Sequence, residues 1–250
     1  MQRYFVAKEQ MTNQEVKVTG EDVKHISRVM RMDVGDEIIC SNNGSRTVRC
    51  VISAVEDQKI TANIIEDLIP NTELPIEVTI AQGLPKGDKL DLIIQKGTEL
   101  GATAFIPFSA SRSIVKWDQK KAGKKIERLE KIAKEAAEQS YRERIPAVHN
   151  IHSLAELKKQ MALFDSVILA YEEVAKEGEQ AQFAATLKTL SQGQKVLVII
   201  GPEGGLTGEE VEQLSLAGAL ACGFGPRILR TETAAMYALA ALSYHFELMR

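Results

Sequence analysis

Residues 195–207 read KVLVIIGPEGGLT, an apolar run followed at once by a loop rich in glycine. The five aliphatic residues Val196–Ile200 predict a strand that is buried on both faces, as is typical of a parallel sheet covered by helices. The loop Gly201–Gly205 contains three glycines and a proline, so a ligand is able to approach bare backbone. The alternative is an ordinary strand-to-helix turn, in which Thr207 caps the helix and Glu210 completes a capping box.

A second junction of the same kind lies further along the chain. The run Ala219–Phe224 predicts a strand, and residues 225–234, GPRILRTETA, lead into an alanine-rich helix. Because ligands of open parallel sheets bind beyond the carboxyl ends of the strands, the two loops predict one shared site. The polar side chains of residues 230–233 either bind a ligand or cap the helix.

The rest of the chain after Pro75 alternates strands with helices, which predicts a largely parallel sheet covered on both faces. The predicted strands are Ile76–Ala81, Ala104–Phe108, Ser166–Tyr171, Lys195–Ile200 and Ala219–Phe224. The predicted helices lie near Lys89–Leu100 and Ala122–Tyr141, from about Glu209, and over Ala234–Met249.

The first part of the chain has a different pattern, dominated by short strands that suggest a small barrel. These strands are Arg3–Ala7, Glu15–Val18, Glu37–Ser41, Arg46–Val55 and Ile60–Glu66. Asn43-Gly44 is a strong hairpin signal. A helix is expected to begin at Thr19 with Asp22 as its capping partner, burying Val23, Ile26, Val29 and Met30 on one face.

The change of pattern occurs between Pro70 and Pro75, which bracket a short polar stretch. We therefore expect two domains, residues 1–70 and residues 75–250.

Composition narrows the class of protein. With 44% hydrophobic and 26% charged residues, and no apolar run near the roughly 20 residues that span a bilayer, the chain is expected to be globular and not inserted in a membrane. Residues 1–5 lack the apolar core of a signal peptide, and Cys40, Cys50 and Cys222 have no metal-ligand spacing, so a reducing cytoplasm is expected. The four histidines are scattered, and no metal site is predicted.

Basic charge is local, since the formal net charge of the whole chain is −3. Residues 112–144 carry eleven basic against six acidic side chains, a net of +5. Such a segment either contacts phosphates or forms a solvated helix with Glu/Lys pairs at helical spacing.

Common nucleotide-binding motifs are missing. Residues 83–89, GLPKGDK, have neither the spacing nor the trailing Ser or Thr of a P-loop. Gly223-Phe224-Gly225 lacks the third glycine of a dinucleotide fingerprint, because Ile228 occupies that position. These differences argue against an ATPase and against a dehydrogenase.

Four stretches carry a specific resemblance along nearly the whole chain: residues 95–101 (QKGTELG), 135–142 (EAAEQSYR), 201–205 (GPEGG) and 227–234 (RILRTETA). Together with Arg3-Tyr4-Phe5 and residues 25–31 (HISRVMR), they resemble the RsmE family of RNA methyltransferases. Met30 and Phe224 stand where leucine is expected, which changes packing more than chemistry.

The resemblance implies an α/β fold of the SPOUT class, with a mostly parallel sheet, a C-terminal trefoil knot and a small N-terminal PUA-like β-barrel that binds RNA. It also implies a homodimer. Apolar residues of the last helix, Ala235, Leu239, Leu242 and Phe246, either contribute to the dimer contact or make this helix part of the core. S-adenosyl-L-methionine is the expected cofactor. Its expected contacts are Leu169, Ala170, Tyr171, Ile200, Gly201, Gly204, Gly205, Phe224, Gly225, Ile228, Leu229, Arg230 and Thr233.

The implied reaction is methylation at N3 of a uridine in small-subunit (16S) ribosomal RNA, expected at position 1498. The substrate is expected to be this RNA within the small ribosomal subunit. Because N3 carries a proton, the reaction needs a base or a stabilised anion. Arg112 is expected to stabilise a uracil anion or to contact phosphate, and Glu99 or Glu232 either accepts the proton or holds backbone. The expected RNA-binding residues are Arg3, Arg28, Arg31, Gln139 and Arg142.

Two alternatives stay open. The first is a SPOUT methyltransferase that acts on another nucleotide atom, such as a ribose 2′-OH. The second is a non-catalytic RNA-binding protein of ribosome assembly. Binding of S-adenosylmethionine separates the last of these from the enzymes.

Overall fold

The structure of the chain, a computed structural model, describes residues 1–117, 119–173 and 182–249. Contacts divide it into two compact units. The first consists of Met1–Glu73 and Ala137–Ile145, and the second of Leu74–Ala136 and Pro146–Arg250. The two domains proposed from the sequence, residues 1–70 and 75–250, stay a proposal.

The first unit is a curled five-stranded sheet. Its strands are β1 (Gln2–Phe5), β2 (Glu15–Thr19), β3 (Glu37–Ser41), β4 (Thr47–Val55) and β5 (Lys59–Leu68), in the spatial order β1-β3-β4-β5-β2. The β1–β3 pair is parallel and the other pairs are antiparallel. Two register shifts between β4 and β5, at Arg49/Cys50 and Ile52/Ala54, are bulges of the kind that bend a sheet.

Alternating side chains of these strands fill the core of the first unit, among them Val16, Val18, Ile38 and Ile52, all fully buried. The hairpin predicted at Asn43-Gly44 is confirmed, since β3 and β4 are antiparallel neighbours. Asn43 and Gly44 have φ of 64° and 115°, the positive values that this dipeptide tolerates in a hairpin turn.

The helix predicted after β2 is only partly correct. Helix α1 (Glu21–Lys24) follows Gly20, which has φ of 77° and gives no side-chain cap, so the Thr19–Asp22 capping box is wrong. The helix then widens into a π-helical turn over His25–Val29. Val23 and Ile26 are buried as predicted, whereas Val29 and Met30 are exposed, because the wider turn carries them off the buried face.

The second unit is built on a sheet whose described pairs are all parallel. Its strands are β6 (Glu77–Gly83), β7 (Ala104–Ser109), β8 (Ala147–Val148), β9 (His152–Ser153), β10 (Ser166–Ala170), β11 (Lys195–Ile200) and β12 (Leu220–Cys222). The spatial order is β12-β10-β11-β6-β7-β8, with β9 also paired to β7. Strand β11 lies between β10 and β6, and Val196–Val198 have no exposed surface, as the apolar run predicts.

Helices accompany these strands: α2 (Lys89–Glu99), α3 (Gln119–Gln139), α4 (Leu154–Gln160), α5 (Gln182–Thr189), α6 (Gly208–Leu216) and α7 (Thr231–Ser243). The βα alternation is confirmed. The sequence interpretation did not include β8, β9, α4 or α5. The signal for α4 was present, because Ser153 and Glu156 form a capping box at its start.

The last helix is a core helix within the chain. Ala235, Leu239, Leu242 and Phe246, expected either in a dimer contact or in the core, are at most 7% exposed, so they pack in the interior of their own unit. Within the described ranges, no helix is long and apolar enough to cross a membrane.

Candidate active site

A cavity of about 690 Å³ opens where β10, β11 and β12 end. This volume lies within the range of about 300–1,000 Å³ that is usual for small-molecule sites. Three loops supply most of its walls, residues 170–173, 200–206 and 224–231, and Lys89, Arg112, Gly208 and Ala234 complete it. The two loops singled out in the sequence therefore share one cavity, as the rule for parallel sheets predicts.

The loop Gly201–Gly205 is closely packed against backbone. A Cβ atom on Gly201 would lie 3.1 Å from the carbonyl carbon of Gly205 and 3.2 Å from the nitrogen of Leu206. Gly205 has φ of 68°, which side chains disfavour. The loop ends at Thr207, whose hydroxyl accepts a hydrogen bond from the Glu210 N–H, so the predicted capping box is confirmed.

The second loop is joined to the first by a buried hydroxyl. Thr231 Oγ1 donates to the carbonyl oxygen of Gly201 at 2.6 Å and accepts from Gln82 Nε2 at 2.7 Å. Gln82 lies at the end of β6 and is 1% exposed. Thr231 thus connects the two loops. The sequence left open whether this residue caps the helix or binds a ligand.

An ion-pair network borders the cavity. Lys89 Nζ lies 2.8 Å from Glu203 and 3.5 Å from Glu232. Burial opposes the charge of Glu203, but hydrogen bonds from Lys89 and from backbone N–H groups outweigh it and lower the pKa of this carboxyl. Hydrogen bonding to Glu203 in turn raises the pKa of Lys89. The sequence interpretation did not identify Lys89 or Glu203, which are distant from each other in the chain.

Arg112 lies on a turn after β7 and lines the cavity. Its Nη1 donates to the carbonyl oxygens of Gly204 at 3.1 Å and of Leu206 at 3.2 Å. A Cβ atom on Gly204 would lie 3.1 Å from the Cβ of Arg112. The cation is therefore held directly against the glycine loop.

Eleven of the thirteen residues predicted to contact the cofactor line this cavity. The other two are Leu169, which is fully buried in β10, and Thr233, which is exposed on the first turn of α7. A direct contact of any of these residues with a cofactor stays a prediction.

Of the two carboxylates proposed as proton acceptors, neither is part of the cavity wall. Glu99, near the end of α2, forms an ion pair with Lys96 at 2.8 Å. Glu232 follows two wall residues, Arg230 and Thr231, and its side chain is 13% exposed beside Lys89.

The residues predicted to bind RNA fall into two groups. Arg28, Arg31 and Gln139 are exposed. Arg3 and Arg142 are 4% and 2% exposed, because Arg3 donates to the carbonyl oxygens of Tyr141 and Arg142, and Arg142 pairs with Glu73. Both arginines thus hold residues 137–145 within the first unit, and their contact with RNA stays a prediction.

The part of the basic segment 112–144 that lies in α3 is an amphipathic helix with a solvent-exposed basic face. Ile126, Leu129 and Ala133 are buried, whereas Lys124, Lys125 and Arg128 are exposed on the other face. Among the described residues, no group of three or more His, Cys, Asp or Glu side chains is arranged to hold a metal ion.

Comparisons with known proteins agree with this architecture. Residues 72–243 match the model of an RNA methyltransferase domain, and residues 18–65 match that of an RNA methyltransferase PUA domain. The chain is 53% identical to ribosomal RNA small subunit methyltransferase E of Bacillus subtilis, with 100% of this chain and 99% of the relative covered. It is 31% identical to the enzyme of that name from Mycobacterium tuberculosis, over 90% of this chain and 84% of the relative.

A solved structure has the same fold. Ribosomal RNA small subunit methyltransferase E from Neisseria gonorrhoeae, bound to S-adenosyl methionine, superposes with a TM-score of 0.83 at 28% identity, covering 97% of each chain. The parallel sheet, the cavity at its carboxyl edge and the PUA-like first unit define an RNA methyltransferase of the SPOUT class. Within that class, the chain belongs to the ribosomal RNA small subunit methyltransferase E family.

Proposed function

We propose that this chain transfers a methyl group from S-adenosylmethionine to N3 of a uridine in 16S ribosomal RNA, at the position numbered 1498. The cavity at the ends of β10, β11 and β12 carries this proposal, because two backbone-rich loops and the cation of Arg112 line it together. Family membership supports the same reaction.

The residues of the cavity fit this cofactor. Its walls contain Gly201, Gly204 and Gly205, and side chains on the first two would meet neighbouring atoms at 3.1 Å, so the backbone itself forms the surface. We propose that the loops 170–173, 200–206 and 224–231 hold the cofactor mainly through backbone groups. When bound, S-adenosylmethionine supplies an electrophilic methyl group.

The chain must then position the uridine and manage its proton. Arg112 lies beside the glycine loop, where a fixed cation stabilises negative charge that develops on the uracil ring. We propose Glu232 ahead of Glu99 as the acceptor of the N3 proton, because Glu232 is next to the wall residue Thr231 and contacts the wall residue Lys89. Holding the two reactants in line at contact distance provides much of the remaining rate enhancement.

Further features of the family are proposed for this chain. We propose that the loops of the second unit form a trefoil knot, that the chain works as a homodimer, and that the substrate is RNA within the small ribosomal subunit in the cytoplasm. Exposed apolar side chains near the end of the chain, Tyr244, Leu248 and Met249, support a dimer contact there. Arg28 and Arg31, exposed on the first unit, are the proposed RNA contacts with Gln139.

The decisive experiment is mass spectrometry of nucleosides from 16S ribosomal RNA of cells with and without the gene for this chain. We expect 3-methyluridine to be lost from one position in the deletion strain and restored by the wild-type gene. Fragmentation that places the missing methyl on ribose would instead indicate the 2′-OH reaction. Unchanged RNA, together with no calorimetric binding of S-adenosylmethionine, would indicate the non-catalytic alternative.

A further inference from the structure

Glu210 has a second contact that its capping role does not require. It is the third residue of α6 and is 5% exposed. One carboxylate oxygen, Oε2, accepts hydrogen bonds from the N–H of Thr207 at 2.9 Å and from its hydroxyl at 3.2 Å. This oxygen completes the capping box, so the helix start needs nothing from the other one.

The other oxygen, Oε1, accepts the N–H of Ser111 at 2.8 Å, across 99 positions of sequence. Ser111 belongs to a turn after β7, in which Ser113 N donates to Ala110 O at 3.0 Å and Ala110 N donates to Ser113 Oγ at 3.3 Å. The turn thus leaves the Ser111 N–H for Glu210. A single buried carboxylate joins this turn to the end of the glycine loop.

Arg112 follows Ser111 in this turn. Its Nη1 donates to the carbonyl oxygens of Gly204 and Leu206, so this side chain also joins the turn to the glycine loop. Burial by itself opposes the charge of Glu210, but the hydrogen bonds from Thr207 and Ser111 outweigh it and lower the pKa of the carboxyl. Charge-assisted bonds of this kind are shorter and stronger than neutral ones.

We propose that Glu210 is a positioning residue for methyl transfer, which fixes Arg112 relative to the glycine loop. This inference rests on the proposed function. Two acceptor oxygens are needed, because N–H donors reach the side chain from Thr207 and from Ser111. An amide at this position offers one oxygen, and its NH₂ group would face one of those donors. Displacement of a catalytic group by about 1 Å is able to cost about 100-fold in rate.

The test compares Glu210→Gln with Glu156→Gln. Glu156 forms the same capping box with Ser153 at the start of α4, using Oε2 for both contacts, and no described contact ties it to a second loop. The measurement is the single-turnover rate of uridine methylation at saturating S-adenosylmethionine and RNA. We expect Glu210→Gln to lose about tenfold or more, with cofactor affinity changed less than threefold, and Glu156→Gln to keep the wild-type rate. Equal rates for the two variants would overturn the proposal.

A double-mutant cycle tests whether Glu210 acts through Arg112. We expect Glu210→Gln to add little to the loss already caused by Arg112→Ala, since the group it positions is gone. Fully additive losses would refute this coupling. Glu210→Asp, which retains a two-oxygen carboxylate, is expected to recover part of the rate, and circular dichroism of each variant establishes that it is folded.

A readout without turnover separates this inference from the proposed function. Exchange of the Ser111 amide hydrogen, followed by NMR, is expected to be faster in Glu210→Gln and unchanged in Glu156→Gln. Unchanged exchange in both variants would refute the proposed connection between the Ser111 turn and the glycine loop, whatever the methylation rates of the variants are. If the folded wild-type protein methylates no ribosomal RNA, but the two variants differ in exchange as expected, the proposed function is rejected. The connection that Glu210 makes between Ser111 and the glycine loop would then still stand.

Discussion

Arg142 donates from Nε and Nη2 to the two carboxylate oxygens of Glu73, at 2.8 and 2.5 Å, and the arginine side chain is 2% exposed. Glu73 also accepts the N–H of Glu143 at 2.8 Å. Burial opposes the charge of Glu73, but its bonds with Arg142 outweigh it and lower the pKa of the carboxyl. The pair therefore joins the end of the first segment of the first unit to residues 137–145.

We predict that Glu73→Gln destabilises the first unit by about 3 kcal/mol, because it removes a negative charge that pairs with the buried guanidinium of Arg142. Chemical unfolding followed by intrinsic fluorescence measures this. Asp67→Asn is the matched control, since the Asp67–Arg46 pair is on the surface and its loss should change stability little. Similar stability of the two variants would contradict the structural role of the buried pair.

Gly204→Val is expected to weaken binding of S-adenosylmethionine by tenfold or more in a protein that remains folded. A Cβ at this position would lie 3.1 Å from the Cβ and 3.3 Å from the carbonyl oxygen of Arg112, so a branched side chain displaces the turn or fills the cavity. Calorimetric titration measures the affinity. Gly123→Ala, in α3 with open space around it, should bind like the wild type. Wild-type affinity of a folded Gly204→Val would place the cofactor elsewhere.

Arg112→Ala is expected to retain most of the affinity for S-adenosylmethionine while lowering the single-turnover rate by about 10- to 1,000-fold. The reason is that the cation is proposed to act on charge that develops in the uracil ring. Rapid-quench measurement at saturating RNA distinguishes this role from RNA binding. A normal rate under those conditions would leave Arg112 with, at most, a binding contact.

Acid should destabilise the wild-type protein partly through Glu210. Its folded pKa is lowered, so its contribution is fully present above the ordinary glutamate range, near about 4.3, and is lost as pH falls through the lowered value. We predict that the stability difference between wild type and Glu210→Gln, measured by urea unfolding, narrows as pH falls from 6 to 3. A constant difference would mean that the carboxylate is not stabilised by folding.

A fragment of residues 75–250 is expected to bind S-adenosylmethionine and to methylate ribosomal RNA poorly. All described residues that line the cavity lie between Lys89 and Ala234, whereas the exposed Arg28 and Arg31 are removed. Residues 1–70 carry nine basic against eleven acidic side chains, so recognition should depend on a few placed arginines and have a shallow salt dependence. Full activity of the fragment, assayed beside the intact chain, would make the first unit an accessory.

Local patterns predicted the parts of the fold that depend on neighbours in sequence. The apolar run of β11, the Asn43-Gly44 hairpin and the Thr207–Glu210 capping box all occur where the sequence places them. The helix after β2 was mispredicted, because its apolar spacing fits an α-helix and gives no sign of the π-helical turn that exposes Val29 and Met30.

Long-range partners were beyond such patterns. The resemblance implied that Arg3 and Arg142 contact RNA, but it gave no sign that each is buried by groups far away in the chain. The same limit applies to Glu210, whose capping contact is local and whose contact with Ser111 is not. The sequence identified the two loops of the cavity, but not the side chains that fix one against the other.

Residues 137–145 complete the first unit although 63 residues of the second separate them from Glu73. During synthesis, the first unit therefore cannot be completed until the ribosome has added Ile145 and residues 137–145 have left the exit tunnel. Arg3, made among the first residues, finds the carbonyl oxygens of Tyr141 and Arg142 only then. Residues 1–73 are thus not a complete domain. If they were fused to another enzyme, the first unit would lack residues 137–145.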